Sequence, residues 1–511
     1  MAEQIKQLGA GGLNTDTPPM IVPLNTFTDV LNVRFYDDSV QTITGETTGR
    51  LLSIPADFGV HWRRPDQGYN IFAKDGNFIR VDSAGNQSSM FSSGAAQYTN
   101  SDWQFTYFNG GYAIVFNNGK STPLYCLYGS ATAGNALQPL PNWNYSAGLT
   151  VTAKVIRSLN YSLVAGNLTI TSSGTVTYAP GTIRVSVQAP TGGIPQTWQP
   201  GLTTDTADEF ELSSTSPVLD MAPLRGNMFI YTSDSISMLS INQGQSRVSG
   251  YSDSYGILNT DCVVEFEGSH FVVDTNDIYV HSGSGKIDSI ADARIKRYFF
   301  RNLNRSYINK VHVVRNPFYK EIWINYPKGS STVCNESLIF NYKNNTWTKR
   351  QLSNVTWVFN GPSNIANQWQ YSNKVLYMTT NTNQTLVTDD SYVMWDGSNL
   401  VNYESYIEKK KLNTGDTTGS SLISSVYTIF DAVPEDINTS INVYVKGQNN
   451  YTDDVTFTSE DLFVFKPNDA KAQGYKVDPR VNGRVMNFKI SSNGYWRMPT
   501  YAFDVRPADR R

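Results

Sequence analysis

Between about residues 60 and 400 the chain repeats one pattern: an apolar strand, a short turn of Asp, Asn, Ser, Thr or Gly, and a second apolar strand. YNIFAKDGNFIRV from Tyr69, MFIYTSDSISML from Met228, HFVVDTNDIYVH from His270 and VLYMTTNTNQTLV from Val375 show it most clearly. Asp75-Gly76 supplies residues that tolerate positive φ in a tight hairpin turn. Looser versions begin at Tyr112, Tyr161 and Ile322, and successive starts lie 42 to 67 residues apart. A repeat of several strands at about 40–50 residues predicts β-propeller blades. One small twisted sheet cannot bury both faces, whereas a ring of sheets packed face to face can. The count predicts six or seven blades over residues 51–400, with a loop insertion near 185–210, where Gly, Pro and Thr cluster.

One segment changes period. SIADARIKRYFFRNLNRSY (289–307) predicts a helix, with Ser289 and Asp292 as a capping-box-like start and Ile290, Ile295, Phe299 and Leu303 as its apolar stripe. Arg294, Lys296, Arg297, Arg301 and Arg305 occupy the other faces. They read either as the solvated face of a packed helix or as a contact for an acidic partner or nucleic acid. After residue 400 the texture changes again. NVYVKG, DVTFTS, FVFKP and VMNFKI alternate apolar and polar positions, joined by polar links such as NTGDTTGSS. This predicts a separate β-sandwich over 401–511. The run Lys409, Lys410, Lys411 within it reads as a solvated face or as a contact with a partner or second copy. The fold class is therefore all-β, a six- or seven-bladed propeller with a C-terminal sandwich and few short helices.

Residues 1–50 fit neither pattern. LGAGGLNTDTPPMIVPLNTFTDVLNVRF (8–35) is rich in Gly and Pro and unsuited to a regular helix. It is expected to run extended along the propeller or a neighbouring copy, with TDVLNVRF and SVQTITG supplying strands that close the ring.

Composition sharpens the picture. Only 17% of the 511 residues are charged while 13% are aromatic, so polar surface must come from Asn, Ser, Thr and Gln, which suits strands and turns. The net charge of −3 shows no basic excess of the kind a DNA-gripping protein carries. Three dispersed cysteines, Cys126, Cys262 and Cys334, with no CxxC, read as buried thiols rather than a disulfide framework or zinc site. The start MAEQIKQLGAGG has no apolar core for a signal peptide, and no run of 18 apolar residues predicts a membrane span.

Candidate chemistry is sparse. His61, His270, His281 and His312 form no metal-binding spacing, and His61 reads as structural. GSGK at 283–286 lacks the first Gly and the final Ser/Thr of a phosphate loop and reads as a hairpin tip. GAGG near the N-terminus is followed by Pro18-Pro19 where a helix should start. Asp274/Asp277 and Asp389/Asp390 sit in turns, where Asp is favoured anyway, though a propeller glycosidase would use such carboxylates. NYKNNTWTK (341–349) has Tyr342 and Asn344 where a sialidase box has Asp and Gly; Trp347 is expected to pack between blades. No catalytic, cofactor or metal residue is assigned.

Several stretches, in order, resemble one family. They are GGLNTDTPP, FTDVLNVRF and DSVQTITG at the start, TAKVIRSLNYSLVAGN (152–167), PGTIRVSVQAP with QTW (180–198), and DARIKRYFFRNLN (292–304). YKEIWINYPKGSSTVCNESLIFNYKNNTWTKR (319–350) and VDPRVNGRVMNFKISSNGYWRM (477–498) follow, before the closing Arg510-Arg511. Together they resemble the tail nozzle proteins of short-tailed bacteriophages, also called tail tubular protein B-like or head-completion stabilisation proteins. Val185 stands where that family leads one to expect Trp, and Asp509 where it leads one to expect Gly. The resemblance implies a virion protein made in the host cytoplasm. It implies a homohexamer below the adaptor ring that retains genomic double-stranded DNA and then conducts it without sequence-specific binding. Tail fibre or spike proteins and a needle or plug are the implied neighbours; no membrane insertion and no cofactor are implied. The alternatives are a propeller glycosidase or depolymerase, and a kelch-like module binding carbohydrate or protein.

Overall fold

A computed structural model describes residues 2–63, 68–91, 98, 102–128, 136–201, 206–242, 244–361, 363–365, 368–370, 376–412, 419–433, 439–466 and 476–508. Val375, most of the NTGDTTGSS link and the Arg510-Arg511 pair lie outside these residues.

Five four-stranded antiparallel sheets and one seven-stranded sheet follow one another along the chain and make seven blades. Blades 1 to 5 span residues 58–89, 104–139, 149–211, 218–252 and 263–289, and blade 6 begins at His312. Blades 6 and 7 share the strand Thr346–Asn360. Its first part pairs with Cys334–Asn341 as the outer strand of blade 6. After a register shift between Val355 and Trp357 it pairs with Leu376–Thr380 as the inner strand of blade 7. The seven starts legible in the sequence all mark the second strand of a blade, but YSLVAGNLTI is no hairpin: it lies within the single strand Ser162–Ser172, with a bulge at Gly166–Leu168, and the turn of blade 3 follows at Ser173-Gly174. Asp75 adopts φ 51° at the Lys74–Asn77 turn, as such a turn requires.

The outer strand of blade 7 comes from the far end of the chain: Glu46–Leu51 pairs with Gln384–Thr388 and closes the ring. This corrects the expectation for TDVLNVRF and SVQTITG. Asp29–Leu31 instead pairs with Ser405–Leu412 of the sandwich, and Val33–Tyr36 and Ser39–Thr42 form a small sheet with Arg497–Met498. Apolar seams fill every gap between neighbouring blades. Phe58 meets Phe105 and Phe116 between blades 1 and 2, and Val155 and Ile183 meet Met221 and Ile230 between blades 3 and 4. Phe271, Phe340 and Trp347 pack between blades 5 and 6, where Trp347 was expected. Phe359 packs on Phe72 to join blade 7 to blade 1. Each such fully buried side chain contributes about 1.5–3 kcal/mol relative to exposure. Between Val185 and Asp208, blade 3 carries the long link expected near 185–210, with Trp198 set edge-on to Trp143 at 4.7 Å; residues 202–205 lie outside the described set.

The second unit is a sandwich of two five-stranded sheets. One contains Ser421–Ile429 and Thr500–Pro507, the other Ser405–Leu412, Ile441–Gln448 and Val485–Ser492. The N-terminal segment adds a strand to each: Ala2–Ile5 pairs with the strand ending the chain, and Asp29–Leu31 with Ser405–Leu412. Inward residues Ile407, Ile423, Val443, Phe488, Ile490 and Tyr501 share one continuous core with Phe27, Val30 and the buried faces of blades 4 to 6.

The opening glycines allow this passage. A Cβ on Gly11 would lie 1.6 Å from the Asn25 carbonyl oxygen, and Gly12 holds φ +71° against Thr346. Leu13 then donates its backbone N–H to Trp347, and Thr15 to Arg294. The leader therefore runs extended over its own propeller. The helix is shorter than the expected 289–307: α1 covers Lys296–Asn302. Ser289 does accept the Asp292 N–H, but Ala293 turns to φ 54° and delays helix onset by several residues. Ile295, Phe299 and Leu303 are buried, as the stripe predicted.

Candidate functional site

Two clusters of charge lie where the architecture converges. The first closes the mouth of the propeller axis. Asp57, Asp102, Asp261 and Lys310 precede the inner strands of blades 1, 2, 5 and 6, and Lys154 lies in the inner strand of blade 3. With Trp103 and Trp357 they line a depression of about 570 Å³, counting space open to solvent. Lys310 Nζ reaches Asp102 Oδ1 at 3.0 Å, and Asn309 Nδ2 donates to Asp102 Oδ2 at 3.1 Å. Blades 2 and 6 are not neighbours, so this pair crosses the ring. Burial would raise the Asp102 pKa, but Lys310 and the two hydrogen bonds carry it below the usual carboxylate value.

Beneath it, Arg157 of blade 3 joins four blades. Nη2 contacts Asp220 Oδ1 of blade 4 at 2.8 Å and Asp261 Oδ1 at 3.0 Å, and Nη1 donates to Gln104 Oε1 of blade 2 at 3.0 Å. Asp220 Oδ2 accepts the Asp261 N–H. Burial, with Asp220 close by, outweighs Arg157 and pushes Asp261 up to about 6. His312 stacks on Trp357 at 4.3 Å, donates from Nδ1 to the Lys310 carbonyl, and accepts the Val358 N–H at Nε2. Burial draws its pKa down to about 4. The cluster acts as a lock: its cations and carboxylates satisfy one another across the axis.

The second cluster pins the leader between propeller and sandwich. Arg34, 1% exposed, makes a two-pronged contact with Glu321 of blade 6, at 2.5 and 3.1 Å, and meets Asp389 of blade 7 at 3.0 Å. Its guanidinium lies 3.4 Å from the Tyr319 ring centroid. Burial alone would lower its pKa, but Asp389 and Glu321 carry it above the ordinary value. Arg350 Nη2 contacts Glu46 Oε1 at 2.8 Å, binding the ring-closing strand to blade 6, and Glu46 Oε2 accepts the Trp395 N–H. Lys349 pairs with Asp29 at 2.5 Å.

The structure scatters the residues singled out from sequence. Arg294 is not a free contact: Nη1 donates to the Asn345 carbonyl at 2.7 Å and to its side chain at 3.0 Å, while its own carbonyl holds the leader. Lys296 stands 3.6 Å from Asp277. Arg297 gives its backbone N–H to Asp16, and the side chains of Arg297, Arg301 and Arg305 are exposed. Lys409 corrects its reading as surface charge. It is 1% exposed, and Nζ donates to the carbonyls of Val22, Pro23 and Thr26 at 2.9, 2.7 and 2.8 Å. Burial draws its pKa down to about 7, and the three carbonyls work in the opposite direction. Lys410 pairs with Glu408 at 2.9 Å, and Lys411 sits at a bulge with φ 52°.

The carboxylates flagged in turns are structural. Asp389 belongs to the Arg34 cluster, Asp390 accepts from Thr47, and Asp274 and Asp277 order their own turn. GSGK joins the strands Ile278–His281 and Ile287–Ser289 as a hairpin tip. His61 is buried beside Asn70, and all three cysteines are buried free thiols. Sequence reasoning missed the axial lock, in which Lys310 and Asp102 pair across 208 positions of chain. Among the described residues no three His, Cys, Asp or Glu side chains are placed to hold a metal ion, and no helix is long and apolar enough to cross a membrane.

No family model matches the chain, and no curated protein matches it. Among solved structures it is similar to a streptogramin B lyase, at 13% identity and a TM-score of 0.40, over 70% of this chain and 98% of that chain.

Proposed function

We propose that this protein is a structural component of a short-tailed phage virion: a tail nozzle subunit, six copies of which enclose a channel below the adaptor ring. The observation that carries this reading is the buried Arg34–Glu321–Asp389 cluster, which ties the leader to blades 6 and 7, while Asp29–Leu31 of the same leader is a strand of the sandwich. Such a block suits a wall under mechanical load, where hinged domains would yield. The axis of each propeller is crossed by side-chain pairs, while B-DNA has a major groove alone about 12 Å wide. The duplex therefore passes between copies, through the centre of the ring. Six copies at −3 each carry −18, and a neutral-to-acidic lumen avoids the salt-dependent grip that phosphate-neutralising lysines and arginines produce. Exposed Arg297, Arg301 and Arg305 are then outer contacts for a fibre, spike or adaptor, rather than lumen residues.

A second reading has one specific observation in its favour. Asp261 lines the solvent-open depression at the propeller mouth together with Asp57 and Asp102, and burial raises its pKa to about 6, toward the range of a general acid. Light scattering on the purified protein separates the two, read beside turnover of a panel of bacterial surface glycans. The nozzle reading predicts six times 56.9 kDa, alone or on the adaptor ring, and no turnover. A monomer indifferent to the adaptor, with turnover abolished by Asp261→Asn, overturns it in favour of a hydrolase.

A further inference from the structure

One exposed apolar pair sits in the leader. Met20 and Ile21 are 38% and 70% exposed, and Ile21 is the most exposed large aliphatic side chain among the described residues. Isolated exposed apolar residues are ordinary. These two are chain neighbours, and among the described residues no other large exposed hydrophobic side chains are.

The turn that carries them is held from beneath on both sides. Ile21 donates its N–H to the Pro18 carbonyl at 3.1 Å, with Pro19 at the turn position that its fixed φ favours. Before the turn, Asn14 Oδ1 accepts the N–H groups of Asp16 and Thr17, and Thr17 Oγ1 donates to the Ala293 carbonyl at 2.7 Å. After it, Val22 is buried, Lys409 gathers the carbonyls of Val22, Pro23 and Thr26, and Tyr501 donates to the Leu24 carbonyl. A loose loop would fold Ile21 inward beside Val22. This one is fixed with its apolar tip in water.

Cations flank the tip. Asp16 Oδ2 accepts the Arg297 N–H at 2.8 Å, so the turn lies beside the start of α1. Arg297 and Arg301 are one helical turn apart and share the exposed face of α1, and exposed Arg305 follows. On the other flank the Gln7 carbonyl accepts from Asn25 Nδ2, which sets exposed Lys6 beside the same loop. Among the described residues none of these four cations has a carboxylate partner. Two carboxylates lie close by. Asp16 is occupied by the Arg297 N–H and the Thr15 hydroxyl, and Asp292 is exposed beside Ala293. The four cations outnumber them.

We propose that the Pro18–Ile21 turn and the exposed face of α1 form a peripheral contact for an anionic lipid surface. Met20 and Ile21 enter the boundary between headgroups and acyl chains, while Lys6, Arg297 and Arg301 meet the lipid phosphates. The occupant follows from the pairing of two chemistries at one convex tip. Nucleic acid offers phosphate but nothing that buries an isoleucine. An acidic protein offers charge but needs a socket shaped for the turn. An anionic bilayer presents phosphate at its surface and hydrocarbon directly beneath it. The inference goes beyond the nozzle reading and does not rest on it. That reading gives the arginines a protein partner, and the test separates the two.

The test is flotation of the full chain with vesicles of phosphatidylcholine alone, and of phosphatidylcholine with an equal part of phosphatidylglycerol, at low and high salt. The wild type is expected to float with the mixed vesicles at low salt and to bind pure phosphatidylcholine at least about tenfold more weakly. High salt is expected to weaken binding to the mixed vesicles, since the lipid charge is then screened. The double variants Met20→Ser, Ile21→Ser and Arg297→Gln, Arg301→Gln are each expected to weaken it at least about tenfold. All four side chains are exposed, so the variants are expected to melt with the wild type, and Ile21→Ser alone serves if the serine pair melts early. Arg247→Gln, at an exposed cation of blade 4, is expected to bind as the wild type does. No binding to the mixed vesicles, or binding that the serine variants keep, overturns the proposal. A wild type that ignores the vesicles, while the same variants fail to seat on the adaptor ring, overturns it in favour of a protein socket and leaves the nozzle reading intact.

Discussion

Blade 3 and the seam around blades 6 and 7 handle charge in opposite ways. At the seam, Arg34, Glu46, Glu321, Arg350 and Asp389 are all at most 5% exposed and are paired with one another. Along Thr175–Pro180, the exposed end of the third strand of blade 3, no residue is charged. Paired buried charges tolerate few geometries, because any shift leaves an ion without its partner in a low-dielectric interior. They fix how leader and ring sit together. An uncharged strand end contributes no ion pair that fixes the parts of the subunit. One region constrains how the subunit's parts meet; the other places no such constraint.

The largest expected break comes at the seam. Arg34→Met leaves Glu321 and Asp389 buried without their cation and is expected to cost about 3–5 kcal/mol in chemical unfolding. Replacing all three by apolar residues of similar volume is expected to recover much of that loss.

Acid comes next. Burial draws His270 down to about 4, His281 to about 3 and His312 to about 4. His270 donates to the Pro223 carbonyl and accepts from Tyr231, whose oxygen accepts from His281, so all are neutral in the fold. Their folded pKa values lie below the unfolded value of about 6.5, so the stability held at neutral pH is lost as pH falls from about 6.5 toward 4. Each histidine contributes about 1.4 kcal/mol per pH unit in that window. Asp261, raised to about 6, has the opposite sign and offsets one of them below pH 6. The net expectation is about 3 kcal/mol per unit between pH 6 and 4.5, read from urea midpoints, and a flatter profile for His281→Phe.

Lys409→Met is expected to cost about 2 kcal/mol, because the carbonyls of Val22, Pro23 and Thr26 lose a shared donor. Hydrogen exchange should then rise in residues 20–30 before it rises in the blades. At that exposed end of blade 3, Tyr178→Ser should leave subunit stability within about 0.5 kcal/mol, since the ring is 76% exposed. A large loss there would erase the contrast between the two regions.

Six of the seven hairpins were legible because the turn after the second strand is local, with Asp, Asn, Ser, Thr or Gly at its centre; in YSLVAGNLTI the Gly166-Asn167 pair is a bulge within one strand rather than a turn. The closing strand was not. ETTGRL has no clean alternation, and only Glu46 in it is fully buried, so its place is set by Arg350 and by the edge of Gln384–Thr388. TDVLNVRF reads as strand and is strand, but nothing local says which sheet it joins. The helix was overextended because a stripe of Ile and Phe at helical spacing persists through Ala293, where the backbone turns left-handed. Lys409 was hidden by its neighbours: in a run of three lysines, only the packing tells which one points inward. The axial lock was invisible, since its ion pairs join residues from different blades far apart in sequence.

The most direct test of the account is a density map of the purified assembly. The account predicts six copies around an open central hole, each propeller closed across its axis by the Lys310–Asp102 and Arg157–Asp261 pairs. Single copies, or an open passage along the propeller axis itself, would contradict it.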